Sequence, residues 1–146
     1  MSPLEIAVLR RKLSRIVENL SELKAMKALS LEEWRGDAMR RAAAERWLHI
    51  CIEAAIDLNS HVVVGLGHPA PPDGYQSFID LARHTKVIDA DLAAKLAPSV
   101  GLRNRLVHRY DDLDDNLVLK GIGEAVRLFP RYVELVSRYV EGLGKE

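Results

Sequence analysis

The stretch Gly101-Leu102-Arg103-Asn104-Arg105-Leu106-Val107-His108-Arg109-Tyr110 concentrates reactive side chains as no other part of the chain does. It reads Arg-Asn, three residues, His, one residue, Tyr. Those groups suit chemistry on a phosphodiester. Arginine pairs with phosphate oxygens through a planar fork of N–H donors. Histidine takes and gives a proton near neutral pH. An amide orients either partner, and a tyrosine hydroxyl adds a further polar group.

Spacing sets a geometric condition on this set. On a regular helix, residues four apart share a face and residues five apart do not. Asn104 and His108 therefore face the same way, whereas Arg103 and His108 diverge. Three routes reconcile that divergence with a shared site. The helix is distorted here, or the long Arg103 side chain wraps round to His108, or the groups converge from two copies across a subunit cleft.

The elements that must position these groups read as helices. Ile6, Leu9, Leu13, Ile16, Leu20 and Leu23 step by threes and fours, the seam of an amphipathic helix that Ser2 caps and Pro3 opens. Ser30-Leu31-Glu32-Glu33 is a capping-box pattern. From there a second helix is predicted to run from Leu31 to about Val64, on its Ala, Leu and Ile content and lack of proline. Gly65, Gly67, Pro69, Pro71, Pro72 and Gly74 break the chain into a loop. A short helix is expected from Tyr75 to about Arg83, with Phe78, Ile79 and Ala82 inward. Another is expected over residues 90–97, capped by Asp89 and ended by Pro98. Residues 103–110 read as helical. Asp114 or Asp115 caps a last helix whose apolar stripe is Val118, Ile122, Ala125, Phe129, Val133, Val136 and Val140, with Pro130 expected to kink or break it. Val62-Val63-Val64 is the one β-rich run and is too short to build a sheet. The pattern predicts an all-α bundle of two long antiparallel helices plus shorter ones, with residues 1–146 forming a single domain.

Bulk composition bounds the function. The 146 residues are 48% hydrophobic and 29% charged, a soluble globular balance. No apolar run reaches the length of a membrane span and no signal peptide is evident, so no membrane role is expected. Cys51 is the sole cysteine, which fits a reducing cytoplasm. The formal net charge is zero, which argues against a large electrostatic footprint on nucleic acid but leaves room for a local patch.

Other polar groups carry a plain and a sharper reading. Asp111, Asp112, Asp114 and Asp115 read more simply as a loop and helix cap than as a cation site, because the Gly and Glu of a calcium loop are missing. Glu53, Asp57 and His61 are four apart and form one stripe. That stripe is either an exposed polar face with an ion pair, or it turns Glu53 or Asp57 toward Arg103 as a partner. His49, His68 and His84 show no metal-ligand spacing with Cys51, so neither metal nor cofactor is expected. Arg10, Arg11, Lys12, Arg15, Arg40 and Arg41 read as solvated helix faces that would extend an RNA track if they surround the site.

The segment Arg103 to Tyr110 resembles the Arg-x4-His-x-Tyr motif of the HEPN superfamily, and more narrowly the HepT toxins that pair with minimal nucleotidyltransferase (MNT) antitoxins. Ala44-Glu45-Arg46-Trp47-Leu48 and Ile52-Glu53-Ala54-Ala55-Ile56-Asp57 are similar to that family's long helix. Gly101-Leu102 and Asp111-Asp112-Leu113-Asp114 match the motif's usual flanks, and the likeness extends from about Leu4 to Tyr139. The resemblance implies a helical homodimer whose two motifs meet in a cleft, and metal-independent RNA cleavage in the cytoplasm. It implies His108 as acid/base group, Arg103 as phosphate clamp and Asn104 as a positioning group; beside these, Arg105, Glu53 and Asp57 are read as supports. Tyr110 would be the residue that a nucleotidyltransferase antitoxin modifies with AMP. Arg109, between His108 and Tyr110, departs from the Gly or Glu frequent there and adds charge. A non-catalytic HEPN subunit partnering a nucleotidyltransferase is the alternative.

Overall fold

The computed structural model describes residues 2–108 and 113–145. Among the described residues seven α-helices follow one another: α1 (Pro3–Lys24), α2 (Leu31–Arg35), α3 (Ala38–Gly65), α4 (Gly74–Asp80), α5 (Ala90–Leu96), α6 (Ser99–His108) and α7 (Asp115–Leu143). A π-helical turn, Leu81–Thr85, continues α4 and ends at Lys86, whose φ of 62° is left-handed.

Every α-helix start but that of α6 is marked by a side-chain cap. The Ser2 hydroxyl accepts from the Glu5 N–H while the Glu5 carboxylate accepts from the Ser2 N–H, and Pro3 stands in the first turn. Asp89 and Asp114 cap α5 and α7. The predicted helix from Leu31 to Val64 is in fact two. The capping box at Ser30 and Glu33 opens only α2, which stops at Gly36, and the Asp37 carboxylate then accepts from the Arg40 N–H to start α3. Gly36-Asp37, a C-terminal glycine followed by an N-cap aspartate, was the available signal. Pro130 does not break α7, which runs through it uninterrupted.

Contacts fix the directions of the three long helices. Lys12 meets Asp57 while Ile16 meets Cys51, so α1 and α3 are antiparallel. Gly121 lies against Leu48 while Tyr132 reaches Ala55 and Asn59, so α3 and α7 run parallel. The expected antiparallel pair of long helices is α1 and α3, and α7 is a third long helix packed beside it. Their inner faces meet over Leu9, Ile16, Leu23, Leu48, Ile52, Leu58, Ile122, Phe129 and Val136, all essentially inaccessible to solvent. Trp34 of α2 is equally buried and donates its indole N–H to Asp115 at 3.1 Å, joining α2 to the start of α7. One polar chain crosses the core. Tyr132 Oη donates to Asn59 Oδ1 at 2.6 Å, Asn59 Nδ2 donates to Ser77 Oγ at 3.2 Å, and Ser77 Oγ donates to the Gly74 carbonyl at 2.6 Å. Every buried member has a partner, which is the condition for such a chain to be tolerated in a core. Burial drives the Tyr132 phenol well above its ordinary pKa and pushes the Cys51 thiol up to about 12, so neither is a nucleophile near neutral pH.

Against the sequence expectation, α3 is long and apolar enough to cross a bilayer, yet half of its most apolar stretch is buried inside the bundle. It is the central helix of this core, and Val62-Val63-Val64 belongs to it rather than to a strand.

Candidate active site on helix α6

Helix α6 is held between α3 and α7 by Val100 and Leu106, both buried, and by Leu102, which is partly buried. Leu102 crosses α7 at Gly121, where a Cβ would collide with Leu102 Cδ2. A glycine there lets the two helices approach this closely. Val100, Arg103 and Leu106 are three apart, so Arg103 shares the inward face. Asn104, Arg105 and His108 are exposed on the outer face, with Asn104 and His108 one turn apart.

Arg103 turns into the protein. Its Nη1 lies 3.3 Å from Glu53 Oε2 on α3, and only 21% of its side chain is exposed. Its Nε is buried without a hydrogen-bond partner. The same Glu53 oxygen is 3.9 Å from His49 Nε2, one turn earlier on α3. Burial holds the His49 imidazole below its usual pKa, and the nearby Arg46 and Arg103 guanidiniums add to that, against the opposing pull of Glu53. His49 is therefore a neutral ring near pH 7, and Glu53 serves Arg103 as its charged partner.

Of the two carboxylates read as candidate supports, the structure brings Glu53 to Arg103 and Asp57 elsewhere. Asp57 accepts from Lys12 Nζ on α1 at 3.5 Å. His61 is exposed at the end of the stripe. α6 is regular as far as His108, so helix distortion does not carry Arg103 and His108 together. Five residues on a regular helix separate their directions by about 140°. Arg103 extends toward α3, away from the outer face of α6. Arg109, Tyr110, Asp111 and Asp112 lie outside the described residues, so the tyrosine expected to be modified does too.

The residues missed in the sequence are Arg46 and His49. Both line a cleft of about 210 Å³ between α1 and α3, together with Arg11, Lys12, Arg15 and Glu53. Both also line a second hollow of about 230 Å³ between α3 and α6, with Leu106 and Val107. Their spacing to Glu53, i, i+3 and i+7, placed them on one helix face and was the signal to follow.

An all-helical bundle with an Arg-x4-His segment on a short helix packed against its central helix is the HEPN arrangement. The Ribonuclease HepT-like family matches residues 16–136, and the chain belongs to that family, one of ribonucleases. A tRNA nuclease HepT of Aphanizomenon flos-aquae is 34% identical over all 146 residues and 99% of its own length. Among solved structures, a toxin–antitoxin crystallised with AMP-PNP superposes with a TM-score of 0.80 at 21% identity, over 90% of this chain and 98% of that one. A tri-AMPylated Shewanella oneidensis HEPN toxin, solved in complex with its MNT antitoxin, gives 0.70 at 20% identity over the whole of both chains. Those two likenesses establish the shared fold.

Proposed function

We propose that this chain is a metal-independent RNA endonuclease, the toxin of a HepT/MNT pair, acting in the cytoplasm as a homodimer. The observation that carries the reading is the fixed Arg103 guanidinium, anchored to Glu53, on the same short helix that presents Asn104 and His108 to solvent. Anchoring one edge of the fork against a carboxylate sets the direction of the N–H groups left for phosphate oxygens. Because Arg103 and His108 leave α6 in different directions, pairing two copies about α6 supplies what one copy lacks: one motif's guanidinium beside the other's imidazole.

In that cleft His108 takes the proton of a ribose 2′-OH, and the freed oxygen attacks the adjacent phosphorus. The bond to the 5′-oxygen breaks, and the proton that His108 took passes to that oxygen, directly or through water, leaving the imidazole neutral again. The products are a 2′,3′-cyclic phosphate and a 5′-OH. Arg103 stabilises the charge that develops on the phosphoryl oxygens, and Asn104 orients His108 or the substrate. Arg105 adds positive charge at the cleft edge, while Asp57 supports the site at one remove by holding Lys12. Tyr110 is the acceptor of AMP from the antitoxin, which silences the enzyme.

The test is cleavage of tRNA by purified protein with and without EDTA, for the parent and for His108→Ala and Arg103→Ala. Loss of an acid/base group is expected to lower the rate by about 10²- to 10⁴-fold. Variants that cleave as fast as the parent would overturn the assignment, and strict dependence on added magnesium would overturn the metal-free route.

A further inference from the structure

The arginines of this protein divide into two groups. Most hold a carboxylate or a carbonyl: Arg10 with Glu141, Arg35 with Asp115, Arg127 with Glu124, and Arg131 and Arg138 with Glu134. Among the described residues, Arg11, Arg15, Arg46, Arg83 and Arg105 hold none. Arg11 and Arg15 on α1 and Arg46 on α3 line the cleft between the two helices, and Arg105 is on α6 itself. The acids of that cleft are already engaged, Asp57 by Lys12 and Glu53 by Arg103. The cleft therefore carries uncompensated positive charge in a protein whose formal net charge is zero. It does not stop at α3. Arg46 and His49 also line the hollow that reaches Leu106 and Val107 of α6, whose wall includes the carboxylate of Glu45, so the polar surface continues toward the motif helix.

We infer that the α1–α3 cleft is a phosphate track for RNA, on which Arg11, Arg15 and Arg46 hold backbone phosphates flanking the scissile bond. This rests on the ribonuclease reading and adds to it where the substrate lies. Arg11, Arg15 and Arg46 are exposed, and guanidiniums lining a concave surface without carboxylate partners are free to take anions by paired N–H donation. A neutral His49 beside them leaves the floor of the track polar without repelling or neutralising the bound phosphates. An RNA backbone supplies repeated charges along a line, which matches cations set on two neighbouring helices. The role is binding rather than chemistry, so its loss raises KM more than it lowers kcat.

The deciding measurement is anisotropy of end-labelled tRNA titrated with His108→Ala protein at several salt concentrations. Arg11→Gln/Arg15→Gln/Arg46→Gln in that background is compared with Arg83→Gln, which lies away from the cleft. Three lost phosphate contacts should flatten the slope of log affinity against log salt by about two to three and weaken binding at least about ten-fold, with Arg83→Gln at the parental value. Should the triple variant not fold, Arg46→Gln against Arg46→Lys decides, with Lys retaining the slope that Gln loses. Parental affinity and slope in the cleft variant overturn the inference while leaving the ribonuclease reading untouched. A cleft variant that binds RNA normally but turns monomeric, or no longer binds the antitoxin, also overturns it and assigns the arginines to a protein contact. A parent that binds tRNA with a cleft-dependent slope yet never cuts it sinks the catalytic reading and keeps the track.

Discussion

Glu53 on α3 and Arg103 on α6 form a partly buried ion pair, Oε2 to Nη1 at 3.3 Å, which ties the central helix of the bundle to the motif helix. The pair sets the direction of a guanidinium whose Nε is buried and unpartnered. Replacing the carboxylate therefore releases Arg103 rather than merely deleting a surface contact. Glu53→Gln is expected to lower kcat for RNA cleavage by about ten- to a hundred-fold through misplacement of Arg103, with little change in KM. Steady-state kinetics on tRNA check this, and an unchanged kcat would show that Arg103 finds its position without Glu53.

A homodimer is expected in solution, because one copy directs Arg103 and His108 to different sides of α6. Val107, 44% exposed beside His108, leaves apolar surface on that helix. Light scattering at micromolar concentration should give twice the chain mass. Mixing His108→Ala with Arg103→Ala protein should recover part of the cleavage activity, since mixed dimers hold one intact composite site. A monomeric mass, or no recovery on mixing, contradicts the shared cleft.

Control by modification makes a prediction at Tyr110. An AMP group on Tyr110, five residues after Arg105 in sequence, would bring a negatively charged phosphate to the motif segment, to compete with the RNA backbone for its cations. Co-expression with a cognate MNT nucleotidyltransferase should add AMP to the intact mass and silence cleavage, and Tyr110→Phe should prevent both. Silencing that survives Tyr110→Phe would mean that the antitoxin inhibits by binding alone.

The pH dependence of stability follows from His49. Its pKa is lowered in the folded protein, chiefly by burial. Below the unfolded value of about 6.5, the unfolded chain takes up a proton that the folded ring resists. The unfolded state then binds more protons, so stability falls as pH falls through that value and is recovered above it. His49→Gln should flatten the slope of the thermal midpoint against pH just below 6.5, measured by circular dichroism. An unchanged slope would place the linkage on other groups.

What is local in this fold was legible in the chain. Helix periodicity marked the α1 seam and the α7 stripe, and caps at Ser2, Ser30, Asp89 and Asp114 marked four starts, because apolar spacing and side-chain-to-backbone bonds operate within a few residues. The motif on α6 was legible for the same reason, as was the divergence of Arg103 from His108. Gly36-Asp37 was overlooked because the Ala- and Leu-rich composition around it outweighed two residues of punctuation. Tertiary structure decided the rest: that Glu53 rather than Asp57 meets Arg103, that Asp57 goes to Lys12, and that Arg46 and His49 join Arg11 and Arg15 in one cleft. Those pairings depend on how α1, α3 and α6 are set against one another. That setting comes from burying Ile16, Leu48, Ile52 and Leu106 together and from the close approach at Gly121, and no single helix encodes it.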